Sequence, residues 1–264
     1  MAEVAGLAAV TQRYAGLGMS TLDGATIDRL EQLAKSADLD VQALALATLH
    51  LTRGADPNIR RFLARQLRAL GSRDSAIRDR WVWVLTARGS TSLESGDYQS
   101  ALAAYRKAQE LKPGDPAVLR NLGVAYTRLR DYPRAIEQFR ASLAASPRQP
   151  QVLVELGFAL MQQGDPDAAV EAYRQAMAVN PWEPAAYANL GVVYLRRGAV
   201  QPAIDALQRA VALDPGLADA NFALASVYAQ LNQVKPAAAA LERGLEFDPH
   251  NTEARRMLET FRHR

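Results

Sequence analysis

Apolar residues recur along residues 82–251 at the three- and four-residue spacing of a helical face. Leu122 and Tyr126 form one stripe, and Ala135 and Phe139 form a second stripe shortly after it. A proline follows each second stripe at a constant interval of 34 residues, at Pro113, Pro147, Pro181, Pro215 and Pro249. Because proline cannot continue a helix, the pattern predicts a tandem array of antiparallel helix pairs.

Small residues occur where the two helices of a pair must approach closely. In the first helix they follow leucine, at Leu122-Gly123, Leu156-Gly157 and Leu190-Gly191, and the pattern changes to Leu224-Ala225. In the second helix they are Ala101, Ala135, Ala169, Ala203 and Ala237. The turn within a pair is clearest at Gly164-Asp165-Pro166, where Asp165 is predicted to cap the second helix and Pro166 to open it.

These offsets resemble the tetratricopeptide repeat (TPR) family, whose signature is a 34-residue helix-turn-helix. The resemblance covers five repeats, at 82–115, 116–149, 150–183, 184–217 and 218–251. The first repeat departs from the signature at Arg88 and Ser92, which stand in place of leucine and tyrosine. The resemblance implies an all-α, right-handed α-solenoid of about five helix pairs. Residues 252–264 carry an apolar stripe of Ala254, Met257, Leu258 and Phe261 and are predicted to form a capping helix.

Residues 1–81 lack this signature and follow an 18-residue rhythm, with Asp38, Asp56 and Asp74 as candidate helix caps. Helices are predicted near 3–16, 26–37, 40–53, 57–70 and 75–93. The segment from Asp56 to Leu67 is weakly similar to the second helix of a HEAT-type repeat. Two interpretations stay open: a helical cap on the solenoid, or a separate recognition surface.

The charge is nearly balanced, since 31 basic and 28 acidic residues give a formal net charge of +3. A charge of this size does not by itself indicate nucleic-acid binding. Arginines are concentrated between Arg53 and Arg80, where Arg61, Arg65 and Arg68 share a predicted helical face. This basic stripe is either a solvated face or a dock for an acidic protein segment, an anionic membrane surface or nucleic acid.

The sequence offers little for catalysis or for a cofactor. It has no cysteine, which excludes disulfides and thiolate metal sites, and its histidines, His50, His250 and His263, lie far apart along the chain. No metal, no cofactor and no enzymatic activity are predicted. No stretch has the roughly 18 to 20 apolar residues of a membrane span, and the amino end makes a poor leader. A soluble, cytoplasmic chain is expected, or a periplasmic one if a leader has been removed.

The resemblance implies that the first helix of each pair lines a concave, peptide-binding surface. It assigns to that surface Arg120, Val124, Thr127, Arg128, Val154, Phe158, Met161, Gln162, Val192, Leu195 and Arg196. In the TPR arms of the O-linked sugar transferases, an asparagine before the leucine-glycine pair contacts the peptide backbone, and Asn121 and Asn189 match it, whereas Glu155 and Ala223 do not. As an alternative, the valines could pack between neighbouring first helices.

The sequence therefore predicts a protein-interaction scaffold or adaptor. Its partner would be a peptide or amphipathic helix with apolar anchors and some acidic residues. Two alternatives stay open: a regulatory or substrate-recruiting subunit of an enzyme complex, and binding of an anionic surface or nucleic acid through Arg53 to Arg80. A second copy of the chain is also an open occupant of the groove. Trp182, after Pro181, is expected to pack at the junction between repeats.

Overall fold

In this computed structural model, the structure describes residues 30, 32, 33, 45 and 75–262. Every regular element within those residues is an α-helix. The chain forms two compact units, residues 1–131 and 132–264, which are described separately. The helices predicted near 3–16, 26–37, 40–53 and 57–70 lie outside the described residues, apart from residues 30, 32, 33 and 45, which are helical.

Residues 75–131 of the first compact unit contain three helices. They are α1 (Ser75–Glu94), α2 (Tyr98–Leu111) and α3 (Pro116–Arg128). The helix predicted over 75–93 is thus confirmed as α1, which packs against both α2 and α3. The approach of α1 and α2 is close, because a Cβ atom added at Gly89 would lie 2.3 Å from the ring of Tyr105. The first repeat therefore keeps the glycine contact even though Arg88 and Ser92 depart from the signature.

The second compact unit continues the helix pairs. Its helices are α4 (Tyr132–Ala145), α5 (Pro150–Gln163), α6 (Pro166–Val179), α7 (Pro184–Arg196), α8 (Val200–Leu213), α9 (Ala218–Gln230), α10 (Val234–Phe247) and α11 (Thr252–Arg262). Each helix packs against the next, and α7 also contacts both α5 and α9. The first helices of successive pairs, α5, α7 and α9, therefore lie side by side.

The pairs are held together by buried apolar residues at the predicted positions. Tyr173 on α6 is fully buried, and its ring lies 2.5 Å from where a Cβ atom of Gly157 on α5 would be. At the end of the array, Ala254 and Leu258 of α11 join the same buried cluster as Leu241 of α10. None of the described helices combines the length and apolar character that crossing a bilayer would need.

The turn inside each pair has a recurring backbone conformation. A residue with positive φ occurs every 34 residues, at Gly96, Arg130, Gly164, Gly198 and Asn232, with φ of 81°, 60°, 95°, 71° and 57°. The next residue donates its backbone N–H back into the helix that ends there, as Asp165 does to the Leu160 carbonyl at 3.0 Å. This is the Schellman arrangement, which satisfies carbonyls at a helix end. Asp165 also caps α6 by accepting the Ala168 N–H at 3.0 Å, as predicted.

Candidate functional site

In the first compact unit, the predicted surface residues lie on α3. Arg120 and Arg128 are exposed, whereas Asn121, Val124 and Thr127 are half-buried. Arg120 donates from Nε and Nη2 to Asn121 Oδ1, at 3.4 Å each. Thr127 donates its hydroxyl to the Gly123 carbonyl at 3.0 Å. This part of the predicted surface is therefore largely polar and cationic, and three of its side chains make bonds within α3.

In the second compact unit, α5 presents an aromatic side chain at the surface. Phe158 is 38% exposed, and one turn later Met161 is half-buried and Gln162 exposed. The preceding residue, Gly157, faces the other way, towards Tyr173. Because successive residues on a helix differ in direction by about 100°, neighbouring positions serve packing and surface separately.

Val154 was predicted to belong to the accessible surface, and the structure corrects this. Its side chain is only 9% exposed. The reason is that α5 packs against α4, α6 and α7, which leaves few of its positions open. Val154 therefore belongs with the packing residues, as the alternative interpretation of the valines allowed.

Helix α7 contributes a second row of side chains beside α5. Asn189 and Val192 are half-buried, and Arg196 is exposed. Leu195 is also half-buried, and it packs against the buried cluster formed by α8, α9 and α10. We define the first-helix surface of the second compact unit as Phe158, Met161, Gln162, Asn189, Val192, Leu195 and Arg196.

Beneath this surface, the Tyr173 phenol is a structural group. Burial raises the pKa of this hydroxyl. The nearby charge of Glu155 raises the pKa further, and the charge of Arg196 lowers it. The hydroxyl therefore stays neutral across the physiological range. Its role in the array is packing against Gly157.

The carboxyl-terminal helix α11 borders an open space beside α9, a feature not predicted from the sequence. A gap of about 190 Å³ is lined by Phe222 and Ser226 of α9 and by Glu253 and Met257 of α11. Met257 lies in the apolar stripe of residues 252–264, so a signal for its inward position was present in the sequence. The pattern did not show that its side chain would border an open space.

Trp182 was expected to pack at the junction between repeats, and this expectation was wrong. The side chain is 68% exposed, and the Arg209 guanidinium lies 5.5 Å from the centre of its ring. The backbone is held by the turn, where the Trp182 N–H donates to Asn180 Oδ1 at 3.1 Å. The neighbouring Glu183 is the buried side chain instead, and its Oε2 accepts from Gln151 at 3.2 Å.

Several predicted residues lie elsewhere. Arg61, Arg65 and Arg68, together with His50 and His263, are outside the described residues. His250 is exposed. Residues 75–262 contain no group of three or more His, Cys, Asp or Glu placed to hold a metal ion.

Solved structures similar to this chain are TPR proteins. The crystal structure of MamA shares 25% identity and a TM-score of 0.52, over 62% of this chain and 96% of that one. TTC0263, a thermophilic TPR protein of Thermus thermophilus, shares 23% identity and a TM-score of 0.59, over 68% and 98%. These matches confirm the predicted all-α solenoid fold.

A third structure covers more of the chain. A chain of the Cut9–Hcn1 hetero-tetramer of the APC/C matches 89% of this chain at 22% identity, with a TM-score of 0.63. Only 46% of that protein is covered, so it is about twice as long as the shared part. At this identity the likeness concerns the fold alone.

The family comparison covers nearly the whole chain. The model described as Cilia and flagella-associated protein 70 C-terminal domain matches residues 29–263. The match begins well upstream of the first repeat recognised in the sequence. No curated protein matches the chain. The chain therefore belongs to this family, and it is a tetratricopeptide repeat protein.

Proposed function

We propose that this chain is a non-enzymatic scaffold or adaptor that binds a peptide or an amphipathic helix of a partner protein along its first helices. The exposed Phe158, beside half-buried Met161 and Val192, is the observation that supports it most directly. Apolar side chains with polar neighbours on an otherwise solvated surface are typical of protein-binding sites. The TPR fold of this family generally serves as a non-catalytic scaffold.

The arrangement of the first helices supports a linear ligand. Helices α5, α7 and α9 are neighbours, so their outward residues form rows that an extended peptide or a helix could follow. Phe158, Met161 and Val192 would contact its apolar anchors. The exposed Arg196 would attract an acidic residue beside those anchors.

Selection of peptides by the whole chain tests this proposal. A random 16-residue library displayed on phage would be selected on the immobilised protein, and the recovered peptides titrated by fluorescence anisotropy. We expect apolar residues spaced by three, four and seven, with acidic residues among them. Phe158→Glu should weaken their binding at least tenfold, because it places a charge where an apolar anchor binds.

The matched control is Phe247→Glu, which replaces a more exposed phenylalanine at the end of the second helix α10. It should leave the affinities unchanged. Peptides that bind equally well to the Phe158→Glu variant would contradict the proposed surface.

A further inference from the structure

A second cavity lies in the second compact unit, where α8, α9 and α10 meet. Its volume is about 320 Å³. Val211 and Ala212 of α8 line one side, Ala239 of α10 lines the other, and Leu224 of α9 lies between them. None of these residues belongs to the first-helix surface, so the cavity is a separate feature.

The repeat register shows why the chain leaves space at this point. At the position of Ala239, the three preceding repeats carry a carboxylate, Glu137, Glu171 and Asp205. At the position of Gln208, which also lines the cavity, three earlier second helices carry Arg106, Arg140 and Arg174. The last repeat junction therefore lacks both the acid and the base that recur before it. A carboxylate at position 239 would project into the space that alanine leaves.

The first repeat also has a cavity beside an alanine at this register position, and that cavity is smaller. Ala103 and Lys107 occupy the same register positions as Ala239 and Arg243. They also line a cavity, of about 70 Å³. An alanine followed one turn later by a cation thus accompanies a cavity in both repeats.

The polar side chains around the larger cavity include hydrogen-bond donors and no carboxylate. Gln208 Nε2 donates to the Tyr228 hydroxyl at 2.8 Å, which leaves the hydrogen of that hydroxyl for another acceptor. Arg243 lines the cavity, and within the described residues no carboxylate pairs with it. The described lining contains no Asp or Glu. The amide of Asn221 is already used, since it donates to the carbonyls of Pro215 and Leu217.

We propose that this cavity binds an acidic side chain of a partner polypeptide. The partner carboxylate would accept hydrogen bonds from Arg243 and Tyr228. An adjacent apolar side chain of the partner would lie against Val211 and Ala212. The site would therefore select an acidic residue with an apolar neighbour.

Two matched peptides test the site on the whole chain. Acetyl-Leu-Glu-Leu-amide and acetyl-Leu-Gln-Leu-amide would be titrated into the ¹⁵N-labelled protein at millimolar concentrations. We expect the glutamate peptide to shift the backbone amides around Ala239 and Gly244. The glutamine peptide should bind at least tenfold more weakly, because charge-assisted hydrogen bonds are the stronger kind.

Two variants should remove binding of the glutamate peptide. Arg243→Gln removes the cation, and Ala239→Glu places the chain's own carboxylate in the cavity. Ala239→Glu is expected to fold, because the same register position is acidic in three other second helices. Its helix content and melting temperature, measured by circular dichroism, would establish that.

The control variant is Arg209→Gln, which occupies the register position of Arg243 one repeat earlier. It should bind the glutamate peptide as the parent chain does, as should Phe158→Glu on the first-helix surface. Equal affinity for the two peptides, full binding by Ala239→Glu, or no shift of the lining amides would each overturn the proposal. None of these outcomes bears on the first-helix surface, which the phage selection tests separately.

Discussion

The two faces of the first helices in the second compact unit differ in what they contact. On one face, Gly157 of α5 lies so close to Tyr173 that no side chain fits between them. On the other face, Phe158, the next residue along, is more than one-third exposed. Side chains of intermediate burial, such as Leu195, lie between these extremes. The packing contacts and the proposed binding surface therefore lie on separate residues of the same helix.

This separation predicts different consequences for substitutions on the two faces. A substitution on the packed face alters a contact on which the helix pair depends. A substitution on the open face alters only what a ligand meets. Three substitutions, ordered by expected loss of stability, test whether the division is as sharp as the structure indicates.

Gly157→Ala should have the largest effect. Alanine in a helix normally adds about 1 kcal/mol of stability relative to glycine. Here the added Cβ would lie 2.5 Å from the ring of the fully buried Tyr173, so we expect a net loss of about 2 kcal/mol. Faster amide hydrogen exchange in α5 and α6 would measure it.

The control is Gly114→Ala, at a turn glycine with no atom within 4 Å of the added Cβ. It should change stability by less than about 0.5 kcal/mol. A stabilised Gly157→Ala variant would show that the ring of Tyr173 moves aside freely, and the packed face would then be less constrained than described.

Leu195→Ser should have an intermediate effect. The side chain is half-buried against the α8–α10 cluster, so we expect a loss of about 1.5 kcal/mol, less than that for a fully buried leucine. The urea midpoint of the whole chain would measure it. If the midpoint stayed at the parent value, Leu195 would belong to the binding face alone.

Phe158→Ser should have the smallest effect on stability, within about 0.5 kcal/mol, because Phe158 is more exposed to solvent than Leu195 or Gly157. The urea midpoint should match that of the parent chain, while binding of the selected peptides is lost. A urea midpoint lowered as far as in Leu195→Ser would show that Phe158 also contributes to packing, which contradicts the proposed division between the two faces.

Much of the fold could be predicted from the sequence because helix pairing repeats one pattern. The proline spacing located the ends of the second helices, and Asp165 was correctly identified as a cap. The leucine-glycine pairs marked where helices touch, as Gly157 and Tyr173 show. Each of these features depends on residues within a single pair, so periodicity is enough to find them.

The accessibility of individual surface positions could not be predicted in the same way. Val154 and Phe158 lie one turn apart on α5, yet one is buried and the other exposed. Their difference depends on how closely neighbouring helices approach, which the 34-residue pattern does not encode. The exposure of Trp182 was missed for the same reason. For the cavity at Ala239, by contrast, the interrupted acidic register was already visible in the sequence.

The positive-φ turns described above also limit how the chain can vary in length. Each one ends a helix and leads into the next within about three residues. Such a short connection cannot absorb an extra residue without moving one of the two helices. One inserted residue after Gly164 would rotate α6 by about 100° about its axis and turn Tyr173 away from Gly157. At these turns, insertions should therefore be tolerated only when they add a whole 34-residue repeat, because such an insertion keeps each second helix facing its first helix.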